Sequence, residues 1–174
     1  MESKHTVFVD LDNTLISAHF LEYHQPQNTK LITLGSGDDI KEMYYGRLRP
    51  GAIEFLRQLR AQYNVYLLTN ATLDYAQAWN EEFQLGFDNM DIFAREHTDS
   101  MSLNTKHTGL SGKAVLIDDL LEKDFKSRKK LKWIETHGAK PKYYKINMYD
   151  HRTGKHFTPE FINEVLNAVE NQLV

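Results

Sequence analysis

The chain has 174 residues, 41% of them hydrophobic and 26% charged, which suits one compact domain over residues 1–174 with a sizeable core. A net charge of -3 gives no global reason to expect a nucleic-acid or membrane partner, and the lack of cysteine excludes disulfides and thiolate metal sites and fits a reducing, cytoplasmic setting. No apolar run approaches the roughly 20 residues of a membrane span, and the N-terminus has no signal-peptide pattern.

Val7 to Val9 is a β-prone run that ends in two carboxylates, Asp10 and Asp12, with Asn13 and Thr14 following. The region after Leu15 is the least regular. Leu31 to Leu34 and Met43 to Tyr45 read as a two-stranded hairpin, a flap over the acids. Arg49-Pro50-Gly51 opens a helix with Ile53, Leu56, Leu59 and Tyr63 as its buried stripe and Glu54, Arg57, Arg60 and Gln62 mostly toward water. Asn64 to Leu68 is a second strand, ending in Thr69 and Asn70, and Thr72 caps a helix that carries Leu73, Ala76, Trp79 and Phe83. After a short strand at Asp91 to Phe93 comes a polar loop from Arg95 to Gly112. A third apolar run, Ala114 to Ile117, then ends in Asp118 and Asp119. The dense basic stretch Lys123, Lys126, Arg128, Lys129, Lys130 and Lys132 reads first as a solvated helix face and second as a polyanion contact. Lys142 to Asn147 is a further strand and Asp150 to Lys155 a turn. Thr158 and Pro159 start a closing helix with Phe161, Ile162, Val165, Leu166, Val169 and Leu173 on its core face. Of the eight histidines, only His151 and His156 have a spacing worth weighing for a metal, and it is a weak one.

Strands joined by helical crossovers run parallel, so their C-terminal ends share one edge of the sheet. Asp10, Asp12, Thr69, Asn70, Asp118 and Asp119 should therefore meet in one crevice, where α/β sheets bind ligands. Four carboxylates there would repel one another unless a cation sits among them or some are protonated, and a hard oxygen-seeking ion such as Mg²⁺ suits such a donor set. An Asp-x-Asp pair at a strand tip suits phosphoryl transfer. One carboxylate attacks phosphorus to give an aspartyl-phosphate and the other moves the proton. A lysine should steady the phosphate. Lys113 stands roughly 15 Å away, at the wrong end of its strand, whereas Lys106 in the preceding loop can reach the acids.

In order along the chain, Asp10-Leu11-Asp12-Asn13-Thr14-Leu15, Thr69, Lys106 and Asp118-Asp119 resemble the four motifs of the haloacid-dehalogenase-like (HAD) phosphatase superfamily. Within it, Leu48-Arg49-Pro50-Gly51, Phe55-Leu56 and Tyr66-Leu67-Leu68-Thr69-Asn70-Ala71 are similar to the small C-terminal-domain phosphatases of the NIF-like group, over roughly residues 6 to 121. Asn13 replaces a Glu usual in that group, and no Asn-Ser-Pro type continuation follows Asp118-Asp119. The resemblance implies a three-layer α/β sandwich with a mainly parallel sheet and a small flap after the first acidic motif. It makes Asp10 the nucleophile and a metal ligand, and Asp12 the general acid/base with its main-chain carbonyl on the metal. Thr69, Asn70 and Lys106 would bind phosphate, with Asp119 on Mg²⁺ and Asp118 beside it.

The activity expected is Mg²⁺-dependent hydrolysis of a phosphomonoester. Too little chain remains for a cap, so the phosphate is expected on a macromolecule, either a phosphoprotein or a nucleic-acid end. Tyr44 and Tyr45 on the flap could stack on a base or pack on a peptide, or serve as ordinary strand aromatics. The alternatives are a small-metabolite or nucleotide phosphatase of the magnesium-dependent phosphatase-1 type, which the short chain also resembles, and a binding module of the same fold that has lost turnover.

Overall fold

The structure, a computed structural model, describes residues 4–35, 37–39, 42–103 and 109–174. It begins with β1 (Thr6–Val9), followed by β2 (Ile16–Phe20), β3 (Lys30–Leu34) and β4 (Glu42–Leu48). Helices and strands then alternate as α1 (Ala52–Gln62), β5 (Asn64–Leu68), α2 (Leu73–Glu82), β6 (Ile92–Phe93), α3 (Arg95–Ser100), β7 (Lys113–Asp118), α4 (Phe125–Thr136), β8 (Lys140–Lys145) and α5 (Pro159–Leu173).

Five strands form an all-parallel sheet in the order β6-β5-β1-β7-β8. Its two faces follow from the period of two along each strand. Val7 and Val9, Val65 and Leu67, and Val115 and Ile117 pack into the layer formed by α1, α2 and α5. Phe8, Leu68, Ala114 and Leu116 point the other way, onto Trp133 and Ile134 of α4. Each fully buried Val, Leu or Ile contributes about 1.5–3 kcal/mol, so the three central strands anchor both layers. The three-layer α/β architecture is the one expected, and all five parallel strands present their C-terminal ends on one edge.

The flap differs from the expected two-stranded hairpin. It is a three-stranded antiparallel sheet, β2-β4-β3, in which Ile16 to Phe20 supplies the third strand. Polar Ser17 and His19 alternate with Ile16 and Ala18, a half-buried strand pattern too short to stand out in the sequence. Ile32 and Leu34 of β3 join the core, and Gly46 of β4 lies against Trp79 of α2 so closely that a Cβ would sit 2.9 Å from the indole.

The face of α1 is rotated from the one expected. Ala52, Phe55, Leu56 and Leu59 are buried, whereas Ile53 is exposed, because i, i+3, i+4 and i+7 from Ala52 give the wider apolar stripe. Arg60 is half-buried rather than wholly turned to water; it lies over Phe87 at 4.6 Å and donates to the Leu85 carbonyl at 2.7 Å. Gly51 precedes the helix at φ 83, and a Cβ there would lie 2.1 Å from the Phe157 carbonyl oxygen, so no other residue fits. Thr72 is the N-cap of α2, but its side chain bonds to Asp74, and the Glu96 carboxylate accepts from the Leu73 N–H instead. The segment expected to be a loop from Arg95 begins as α3. Thr158 caps α5 as expected, accepting from the Phe161 N–H at 3.2 Å, and the Phe161 to Leu173 stripe is buried.

Candidate active site

The main-chain ladder of the parallel sheet continues past the strand tips and fixes the functional groups. The Asp10 N–H donates to the Ile117 carbonyl at 2.9 Å, and the Thr69 N–H donates to the Phe93 carbonyl at 3.0 Å. Asp10, Thr69 and Asp119 are buried, yet with Asp12 and Asn70 they line one crevice of about 230 Å³. Asn13, Arg95 and Lys126 line it as well. Asn13 sits at φ 62, a left-handed conformation that Asn tolerates better than most residues. Asp118 is wholly buried behind the crevice.

Lys130 is the residue that sequence reasoning misplaced. It stands on α4, inside the basic stretch read as a solvated face, but its side chain is completely buried. Its ammonium donates to Asp10 Oδ1 at 2.8 Å and to Asp118 Oδ2 at 2.7 Å. Ser127, Lys130, Trp133 and Ile134 are the buried positions of α4. That spacing of three and four was the available signal, since a lysine on the inward stripe of a helix needs a buried anion. The other cations of α4 differ among themselves: Lys126 rims the crevice and Lys129 pairs with Asp99. Lys106 lies outside the described residues. Lys113 is remote, as its strand position predicts, and donates to the Val174 carbonyl at 2.9 Å.

One ammonium cannot neutralise this many acids. Desolvation pushes the Asp10 carboxyl well above the usual range; Lys130 opposes the shift, and Asp118 and Asp119 add to it. Burial alone would lower Lys130, but Asp10 and Asp118 outweigh it and hold the lysine charged. Asp119 is pushed up to about 6, chiefly by burial, with the Asp118 charge contributing. Carboxylate oxygens of Asp10, Asp118 and Asp119 lie within 4.8 Å of one another. An all-oxygen, anionic donor set held by short side chains fits a hard divalent cation such as Mg²⁺. Asp118 already gives Oδ2 to Lys130 and Oδ1 to the Leu120 N–H at 3.1 Å, which leaves Asp119 the better placed of the pair to ligate an ion.

Asp12 is not part of that cluster. Its Oδ1 accepts from the Tyr75 hydroxyl of α2 at 2.7 Å. Burial raises the Asp12 carboxyl, and the Tyr75 hydrogen bond and the Lys130 charge pull against the rise. A ligand role for Asp12 therefore rests on its main-chain carbonyl alone. Thr69 Oγ1 accepts from the Ala71 N–H at 3.1 Å, so its own proton is available to a phosphate oxygen. Tyr44 is an ordinary packing aromatic: its ring meets Phe20 and Tyr75 at 4.8 and 5.0 Å. Tyr45 lies against His19 at 5.5 Å.

Arg49 supports the site from below. It is fully buried, and its guanidinium donates to the carbonyls of Thr14, Asn147 and Lys155 at 2.7–3.0 Å. Phe157 and Phe161 cover it, with ring centroids 4.5 and 5.3 Å from the guanidinium carbon. Burial lowers its pKa to about 10, still charged at neutral pH. The loop that follows Asp10 is thereby tied to the C-terminal third of the chain.

The profile of the NLI interacting factor-like phosphatase family matches residues 5–136. The fold is similar to that of Fcp1, described as an essential RNA polymerase II CTD phosphatase, with a TM-score of 0.56 and 18% identity over 97% of this chain and 50% of the other. A single-substitution variant of fission yeast Fcp1 bound to beryllium fluoride gives a TM-score of 0.54 and 16% identity over 97% of this chain and 51% of the other. The chain thus spans about half the length of those Fcp1 chains. No curated protein matches the sequence. Among the described residues, no helix is long and apolar enough to cross a membrane.

Proposed function

The chain belongs to the NLI interacting factor-like phosphatase family, and on that premise we propose that it hydrolyses a phosphomonoester presented by a protein, through an aspartyl-phosphate on Asp10. The observation that carries this reading is the placement of Asp10 at the tip of β1. There it opens into the crevice while Lys130 and Thr14 hold its two oxygens at 2.8 and 3.1 Å. A carboxylate fixed in this way is oriented for in-line attack on phosphorus, and the neighbouring ammonium favours its ionised form against the upward push of burial.

In the first half of the reaction an Asp10 oxygen bonds to phosphorus, the bond to the leaving oxygen breaks, and protonated Asp12 gives that oxygen its proton. Burial favours the protonated form of Asp12 needed here. In the second half Asp12 takes a proton from water as the water oxygen attacks phosphorus, which frees Asp10 and inorganic phosphate. Thr69 and the Asn70 amide hold phosphate oxygens. Lys130 offsets charge as it builds. Asp10 and Asp119, with Asp118 beside them, would hold Mg²⁺, which when bound neutralises charge spread over the phosphoryl oxygens.

A protein substrate is supported by size. The crevice of about 230 Å³ falls below the range of roughly 300–1,000 Å³ typical of pockets that enclose small ligands. The phosphoryl group fits inside and the rest of the substrate must bind outside, where Arg95 and Lys126 rim the opening and Phe125 is exposed next to Lys126. The Fcp1 likeness points the same way. The test offers phosphopeptides, 3′-phosphorylated oligonucleotides, nucleotides and sugar phosphates with and without Mg²⁺, and traps phosphoenzyme by rapid quench. Phosphopeptides should give the highest kcat/KM, and Asp10→Asn should form no phosphoenzyme. Faster turnover of a nucleotide or sugar phosphate defeats the substrate assignment, and covalent phosphate on Asp10→Asn defeats the nucleophile.

A further inference from the structure

A second cluster of metal-competent side chains lies outside the acidic crevice. His19 on β2 of the flap, and Asp150 and His151 in the loop after β8, each bring one ligand atom within 4.8 Å of the other two. All three are half-buried. The two imidazoles meet edge to face at 5.2 Å, with planes at 86°. They come from residues far apart in sequence, so only the fold unites them, and the weak sequence spacing of His151 and His156 is not involved: His156 is exposed.

Each side chain is arranged as a ligand would be. His19 Nε2 lies 3.3 Å from the hydroxyl of buried Ser17, a hydrogen bond that orients the ring and leaves its other nitrogen free. His151 Nδ1 is buried and has no hydrogen-bond partner, although Asp150 Oδ1 stands 3.1 Å away. A buried ring nitrogen without a partner, facing a carboxylate that makes no hydrogen bond to it, is the arrangement a cation between them would satisfy. The Arg152 N–H donates to Asp150 at 3.0 Å and fixes the turn. The Arg152 guanidinium lies 3.8 Å from the same carboxylate, and its side chain is 75% exposed.

We propose that His19, Asp150 and His151 form a site for a Zn²⁺-class transition ion that pins the flap to the loop after β8. Two imidazole nitrogens and one carboxylate oxygen match the borderline preference of Zn²⁺, Co²⁺ and Ni²⁺, and a water would complete four-coordination. The acidic crevice offers only oxygen and selects a harder ion, so the two sites separate by metal type. The pinned loop adjoins the active site, since the Tyr149 N–H donates to the Asn13 carbonyl at 2.7 Å.

The test titrates Co²⁺ into tag-free, chelator-treated protein saturated with Mg²⁺, following the visible absorption of four-coordinate Co²⁺, and repeats it with Zn²⁺ by calorimetry. Wild type should bind one equivalent, Asp119→Asn should bind it equally well, and His19→Gln and His151→Gln should each lose about 10–100-fold in affinity. His151 lies in a surface loop, so His151→Gln decides the matter even if His19→Gln misfolds. Bound Zn²⁺ should also slow amide exchange in Ile16–Phe20. Absence of binding, equal binding by wild type and His151→Gln, or loss of binding in Asp119→Asn overturns the proposal.

Discussion

The Tyr75 hydroxyl donates to Asp12 Oδ1 at 2.7 Å while the Tyr75 ring meets Tyr44 edge to face at 5.0 Å, so one residue of α2 touches both the proposed acid/base and the flap. The hydrogen bond stabilises the ionised carboxylate and thus pulls the Asp12 pKa down against the upward push of burial. Tyr75→Phe removes that pull, and the Asp12 pKa should rise further. The alkaline limb of kcat/KM, where protonated Asp12 is consumed, should move to higher pH. A limb that stays in place would mean that Asp12 is not the acid it reports.

Replacement of Lys130 should be more damaging than replacement of any other lysine on α4. Lys130→Met leaves Asp10 and Asp118 facing each other in a dry site, so kcat should fall by about 10²–10³-fold at saturating Mg²⁺. Charge reversal of exposed Lys123 or of Lys132 should change kcat little. Steady-state kinetics on the three variants checks this, and comparable losses would return Lys130 to the role of an ordinary basic residue.

Asp119 links activity to stability. Its pKa is raised to about 6 in the folded chain, so the folded state binds that proton more tightly than the unfolded state does. The stabilisation is complete below the ordinary carboxylate range and is lost as pH rises toward 6 and beyond, where the proposed divalent ion would take the proton's place. Metal-free Asp119→Asn should therefore melt about 2–4 °C above metal-free wild type at neutral pH, yet show little of the rise in Tm that Mg²⁺ gives wild type. Scanning calorimetry with and without Mg²⁺ separates these outcomes; a variant that melts lower and still responds to Mg²⁺ would contradict them.

Arg49→Ala should cost about 3–4 kcal/mol, because three buried carbonyls lose a charged donor and the space between Phe157 and Phe161 empties. Arg49→Lys should recover little, since one ammonium cannot span three acceptors in the fork geometry. Urea unfolding of both variants measures this. A loss below about 1 kcal/mol would mean that water substitutes for the guanidinium.

Strand tips were legible in the sequence because each strand signals itself: Val7 to Val9, Val65 to Leu68 and Ala114 to Ile117 are apolar runs that stop at polar groups. What stayed hidden depends on contacts between distant elements. Lys130 and Asp10 are 120 residues apart, and a basic stretch conceals one inward lysine among outward ones. Tyr75 looks like one more core aromatic until Asp12 is placed beside it. Spacing alone favours Ile53 over Phe55 as core, because it leaves the rotation of a short helix open by a residue or two. β2 is hidden because its alternation runs for only five residues, too few to signal a strand before β4 pairs with it.

The Arg49 clasp has a consequence for the order in which the molecule comes into being. A ribosome that has released residues 1 to 136 has delivered every acid of the crevice together with Lys130, but not Asn147, Lys155 or Phe161, which receive and cover the guanidinium. Until those arrive, a cation sits where the closing layer should be, and the Thr14 loop has no lower anchor. Competence should therefore switch on late in translation rather than grow with chain length. Stalled nascent chains of graded length would show it as a step in phosphoenzyme formation, falling only after the Pro159–Leu173 helix has left the exit tunnel.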